Sequence, residues 1–193
     1  KEAKYQGQSD VPLTDKGRKQ AVKLSERFKN LKIDVAYASD LERCIETANI
    51  ITKYHDIKVI PTAKMREIHF GIWEGHTYDE IIAKWGKEFD KWQRDPFNIS
   101  PPKGETFLEL CERVSSFLKK TAQKHPKENI LIVSHAGAIR AILFSLLNLD
   151  YRSFWKFKIS NTSFTEIVYD GLEDLENSDA FIGRINDTCH LEV

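Results

Sequence analysis

The chain has 193 residues, 41% of them apolar and 30% charged, which suits one globular core and excludes disordered and fibrous classes. Lys+Arg and Asp+Glu each number 29, so the net charge is zero. That balance argues against a nucleic-acid stripe or an anionic-membrane binder and leaves room for a locally positive pocket. No run approaches the roughly 20 apolar residues of a membrane span, and residues 1–5 do not read as a signal peptide.

Helix and strand signals alternate along the chain, as in α/β layered folds. Thr14 suits the cap of a helix running to about Leu31, with Ala21, Leu24, Phe28 and Leu31 on one face. Residues 33–38 read as a short apolar strand. Ser39–Glu42 has the S-x-x-E capping pattern, and Leu41, Cys44, Ile45, Ala48 and Ile51 follow at helical spacing. Residues 57–60 read as a second strand, stopped by Pro61. Capping boxes at Thr77–Glu80 and Thr106–Glu109 open two further helices, the second reaching about His125. Residues 129–134 are the most strand-like run, and their unbroken Ile-Leu-Ile-Val predicts a central parallel strand. A turn at 135–137 leads into a helix over 138–147. Residues 163–169 suit an edge strand, 170–179 an acidic loop and 181–185 a last strand.

Cys44, Cys111 and Cys189 show no C-x-x-C spacing. The first two fall in helical patterns, where a buried reduced thiol is the default, and a reducing cytoplasm fits best.

In open α/β sheets the reactive crevice lies at the carboxyl ends of the strands, where helix N-termini offer N–H groups to anions. Two segments fit. In Val133-Ser134-His135-Ala136-Gly137 a strand delivers a histidine to a small-residue turn. In Ala38-Ser39-Asp40-Leu41-Glu42-Arg43 a strand meets a helix with an arginine in its first turn. An arginine fork matches phosphate oxygens, and a histidine beside it can donate to the same group. Each residue alone has a blander reading, as a loop histidine or a solvated charge. Metal-ligand clusters such as H-E-x-x-H, P-loops and G-x-S-x-G elbows do not occur, and Ser134 is better placed to support backbone than to attack.

At these residues the chain resembles the histidine phosphatase superfamily, the phosphoglycerate-mutase-like group. Four segments match in order: residues 5–14 with Gly17 and Ala21; 39–48; Arg66-Glu67-Ile68-His69-Phe70-Gly71-Ile72-Trp73-Glu74-Gly75; and 133–137. The resemblance implies a three-layer αβα sandwich with a mostly parallel central sheet. It also implies a single domain over 1–193 with a small helical cap at about 69–104. Arg43 would neutralise phosphoryl oxygens, His135 would hydrogen-bond them, and Glu67 would be the general acid and then the base. Gln6, Gly7 and the Ala136 N–H would be phosphate or substrate contacts. The family's phosphoryl-accepting histidine belongs to an Arg-His-Gly motif expected upstream of Lys1. No metal or cofactor is implied, and a chain truly without that motif should be inactive.

The short interval from Glu67 to Gly104 favours a phosphatase over a mutase. Residues 185–191 resemble the ending of α-ribazole-phosphate phosphatases of cobalamin assembly, which suggests α-ribazole 5′-phosphate. A broad-specificity sugar-phosphate phosphatase is the runner-up. A non-catalytic phosphoester-binding relative is the alternative of another class, and the acidic Glu67 speaks against it. Trp73, Trp85, Trp92, Phe89 and Phe97 are candidates for an aromatic wall against a flat ring, or for packing inside the cap. His55, His69, His125 and His190 read as structural or surface residues, with His76 a candidate at the pocket rim. The expected partner is a small phosphorylated metabolite, with no nucleic acid and no membrane, bound by a monomer or homodimer.

Overall fold

The computed structural model describes residues 4–149, 151–168 and 180–192, so the acidic loop expected at 170–179 lies outside the described residues. Strand β1 (Val35–Ser39) lies between β2 (Val59–Thr62) and β3 (Ile130–Val133), all parallel, with Ala38 opposite both Pro61 and Val133. Alternation along the strands divides the interior. Ala38 and Val133 share one core with Leu24 and Phe28 of helix α1 (Asp15–Phe28) and with Cys44, Ala48 and Ile51 of α2 (Glu42–Ile51). Ile132 belongs to the opposite core, built from Leu110 and Val114 of α4 (Phe107–Lys124) and Ala138, Ala141 and Ile142 of α5 (Ala136–Leu146). Tyr37 meets Phe117 of α4 edge to face at 5.4 Å. Period-two strands with helices on both faces make three layers, αβα. Each fully buried Leu, Ile or Phe contributes about 1.5–3 kcal/mol to this packing.

Several boundaries differ from the sequence-based expectation. Helix α1 stops at Phe28, the last residue whose side chain reaches the sheet; Leu31 lies past it and is 47% exposed. Pro61 does not stop β2 but pairs within it. Among the described strands β2 is an edge, where a missing N–H breaks no second ladder. Among the described strands, residues 130–133 pair with β1 alone. Helix α5 starts at Ala136, two residues earlier than expected, with His135 as its N-cap residue. Strand β4 (Phe164–Val168) pairs antiparallel with β5 (Phe181–Asp187), which runs two residues past the expected Ile185.

Between β2 and β3 the chain leaves the sheet. Helix α3 (Tyr78–Arg94) and α4 both begin with complete capping boxes, at Thr77/Glu80 and Thr106/Glu109. A cap of this kind contributes about 1 kcal/mol. Trp73, Phe89, Trp92 and Phe97 are buried and join Phe107 and Phe154 in one aromatic core, with Trp73 and Trp92 edge to face at 5.4 Å. They are packing residues, not a wall facing a ligand. Trp85 is half-buried at a kink in α3 and meets His76 edge to face at 5.1 Å.

Candidate active site

The carboxyl ends of β1 and β3 deliver Ser39 and His135 side by side. His135 Nε2 shares a 2.9 Å hydrogen bond with Ser39 Oγ and lies 3.4 Å from Cys44 Sγ. Ser39 therefore does not cap α2, as its S-x-x-E pattern suggested. It is the last residue of β1 and wholly buried, and Leu41 takes the N-cap position without a side-chain bond. Asp10 replaces it, its Oδ1 accepting from Glu42 N at 2.8 Å. Burial pushes the His135 pKa down to about 3, with the Arg43 and Arg113 charges adding to it and Asp40 opposing, so the ring is neutral at pH 7. Burial also pushes the Cys44 thiol up to about 12, which makes it a poor nucleophile.

Arg43, in the first turn of α2, donates from Nη1 to Ser9 O and from Nη2 to Gly7 O, both at 2.8 Å. Those two bonds use two of its five N–H donors and tie the 6–9 segment to the sheet end. Gly7 has φ +51°, and a Cβ there would collide with Glu74 Oε1. Glu74 is the reason the segment turns here. Its carboxylate accepts from Gln8 N and Ser9 Oγ, each at 2.9 Å, and from Phe70 N at 3.1 Å. Gly7 is buried beside this knot, whereas Gln6 is exposed.

Glu67 reaches the site from the loop after β2. Its Oε2 accepts from Gly137 N at 3.1 Å, in the first turn of α5, and its Oε1 from Ile68 N at 2.9 Å. Burial raises its pKa, opposed first by these two N–H bonds and then by the Arg140 and Arg43 charges. Residue 67 as a whole is partly exposed, while both oxygens of its carboxyl are bonded to backbone N–H groups. The loop is held from both sides. Gln8 Nε2 donates to Glu67 O at 3.1 Å, and Ser134 Oγ donates to Met65 O at 2.7 Å. Arg113 bonds Lys64 O and Arg66 O at 2.9 and 3.1 Å, while Arg66 forks onto both Asp40 oxygens at 2.7 Å.

Arg43, Glu67 and His135 thus lie near one another: the Arg43 charge acts on both the Glu67 carboxyl and the His135 ring, Arg43 holds Gly7 O, and Ala136 follows His135 as the first residue of α5. Arg113, Glu74 and Asp10 complete the neighbourhood and were not foreseen. Their partners are distant in sequence, and nothing in their local spacing announces them. The assembly can hold an anion near an arginine and a helix N-terminus, and can offer it a proton from a carboxyl group. Gly137→Ala would push a Cβ into Glu67 Oε1. It is expected to lower kcat by about 100-fold, measured beside a thermal melt that shifts by only a few degrees.

Among the described residues no helix is long and apolar enough to cross a membrane, and no group of three or more His, Cys, Asp or Glu side chains could hold a metal ion. The chain is 32% identical over 188 residues to phosphoserine phosphatase 1 of Hydrogenobacter thermophilus, covering 97% of this chain and 86% of that one. It is 26% identical over 163 residues to the adenosylcobalamin/alpha-ribazole phosphatase of Escherichia coli, covering 84% and 80%. The crystal structure of the alpha-ribazole phosphatase from Shigella flexneri superposes with a TM-score of 0.86 at 25% identity, covering 96% of this chain and 89% of the other. Residues 1–175 match the histidine phosphatase superfamily (branch 1), and with that match, the layered fold and the motif order, the chain belongs to this superfamily.

Proposed function

We propose that the protein hydrolyses phosphate monoesters of small metabolites through a phosphohistidine intermediate. The observation that carries this reading is the Glu67 carboxyl, its oxygen held on the first turn of α5 and its pKa raised by burial, close enough to Arg43 to feel a charge that His135 feels too. Binding alone needs no such acid; departure of an alkoxide does. The phosphoryl acceptor in this reading is a histidine of the superfamily's kind. Its ring nitrogen attacks phosphorus and the P–O bond to the alcohol breaks. Arg43 offsets charge on the phosphoryl oxygens, neutral His135 hydrogen-bonds them, and Glu67 gives its proton to the leaving oxygen. Water then attacks phosphorus and passes a proton to Glu67, and the P–N bond breaks to release phosphate. Gln6, Gly7 and the Ala136 N–H line the phosphate side, and residues 69–104 serve as the cap.

Two substrates follow from different supports. The 185–191 segment and the relatives named for α-ribazole favour α-ribazole 5′-phosphate. The relative named for phosphoserine favours a phosphorylated hydroxy acid. Phosphate release by the full natural chain, with EDTA present throughout, tests the reaction itself. Turnover is expected to persist unchanged in EDTA, because arginine supplies the charge a metal otherwise would. Turnover that EDTA abolishes and a divalent cation restores would sink the proposal.

A further inference from the structure

Glu67 stands close to two arginines, and the chemistry proposed above uses one of them. Arg140 lies on α5 one turn beyond Gly137. Helical side chains lean toward the N-terminus, so its stem covers the turn where Gly137 N–H holds the Glu67 carboxylate. Gly137 has no side chain to block that path. Arg140 Nε donates to Phe157 O at 2.7 Å, which fixes the stem, and its Cζ lies 5.8 Å from the Trp155 ring. Trp155 is 54% exposed, unlike the other tryptophans of its cluster.

The Nη groups of Arg140 have no hydrogen-bond partner, and no carboxylate lies within ion-pair distance of this half-buried side chain among the described residues. A partly desolvated guanidinium without a counter-ion costs free energy that an incoming anion would recover. Glu67 is near enough for its charge to favour the Arg140 cation, but the two form no salt bridge, and in its acid role Glu67 is neutral. The acid stands beside the leaving oxygen, while Arg43 and His135 hold the phosphoryl side. Arg140, close enough to the acid for the two charges to interact, lies on the leaving-group side in this reading.

We propose that Arg140, flanked by the exposed indole of Trp155, forms a subsite for a carboxylate on the leaving alcohol, so that preferred substrates are phosphate esters of small hydroxy acids. The subsite rests on the phosphatase reading of the site and favours the second of the two substrates over a neutral nucleoside. The test compares kcat/KM of the full natural chain for 3-phosphoglycerate and glycerol 3-phosphate, which differ by a carboxylate against a hydroxymethyl group. A preference of about 10- to 100-fold for 3-phosphoglycerate is expected, the worth of one charge-assisted hydrogen-bonded pair. Arg140→Met should reduce the preference to less than about threefold, and Arg140→Lys should retain part of it. A preference absent from the unaltered protein, or surviving in Arg140→Met, would overturn the subsite. Should Arg140→Met fail to fold, the unaltered protein and Arg140→Lys decide. Hydrolysis of both esters at similar rates removes the subsite alone; hydrolysis of neither removes the phosphatase reading with it.

Discussion

Arg43→Ala is expected to lower kcat/KM by at least about 10³-fold on any phosphate monoester, the scale on which a single arginine acts in phosphoryl transfer. The structure gives two reasons for so large an effect. His135 is neutral, its pKa pushed down to about 3 chiefly by burial, so it can offer the phosphoryl group a hydrogen bond but no charge. Arg43 also holds Gly7 O and Ser9 O, so its loss releases the Gly7–Ser9 segment. Arg43→Lys should recover less than about tenfold, because an ammonium cannot reproduce a planar fork that bonds two carbonyls and a phosphate at once. Steady-state kinetics with p-nitrophenyl phosphate measures this. A loss below tenfold in Arg43→Ala would mean that the guanidinium does not meet the transferring group.

The second large effect belongs to Glu67→Gln. With an alkyl leaving group the loss is expected to be about 10²- to 10⁴-fold in kcat, the range of a positioned general acid. With p-nitrophenolate, which departs without a proton, the first step should be slowed far less. Equal losses across leaving groups would remove the acid role. The pH dependence follows from the raised pKa. The protonated form persists above the ordinary glutamate value of about 4.3, so activity on alkyl esters should extend above that pH and fall as pH climbs through the raised value. Stability moves in the same sense. A carboxyl whose folded pKa is raised contributes fully below the unfolded value and loses that contribution as pH rises through the folded one. Glutamine does not ionise, so the melting temperature of Glu67→Gln relative to the unaltered protein should increase between pH 4 and pH 8.

The elements legible in the sequence were those written in local patterns. Both Thr boxes form as their S/T-x-x-E spacing predicts, and the apolar stripe of α4 faces the core. The third box failed because strand and cap compete for the same residue. Once β1 runs through Ser39, its hydroxyl is spent on His135, and Asp10, remote in sequence, caps α2 instead. The neighbourhood of Arg43, Glu67 and His135 was legible because each follows a strand end, where parallel topology gathers side chains. Glu74 and Arg113 were not, since much of what they hold at the site is backbone: carbonyls and N–H groups carry no sequence signal. Aromatic residues at 73, 89, 92 and 97 misled for a related reason. Composition announces apolar surface but not which way it faces, and here it faces inward.

The direct pairing of β1 with β3 has a consequence for how this architecture tolerates change. Everything from Ala63 to Asn129 is one excursion between two strands whose register is fixed by their own ladders with β1. Lengthening such an excursion twofold adds only about 0.6 kcal/mol of closure entropy. Insertions there can lengthen the segment between β2 and β3 while the strand ends keep their spacing. Glu67 and Arg113, near its start and on α4, belong to the same excursion, so changes there must leave their contacts with α5 and the β2 loop in place.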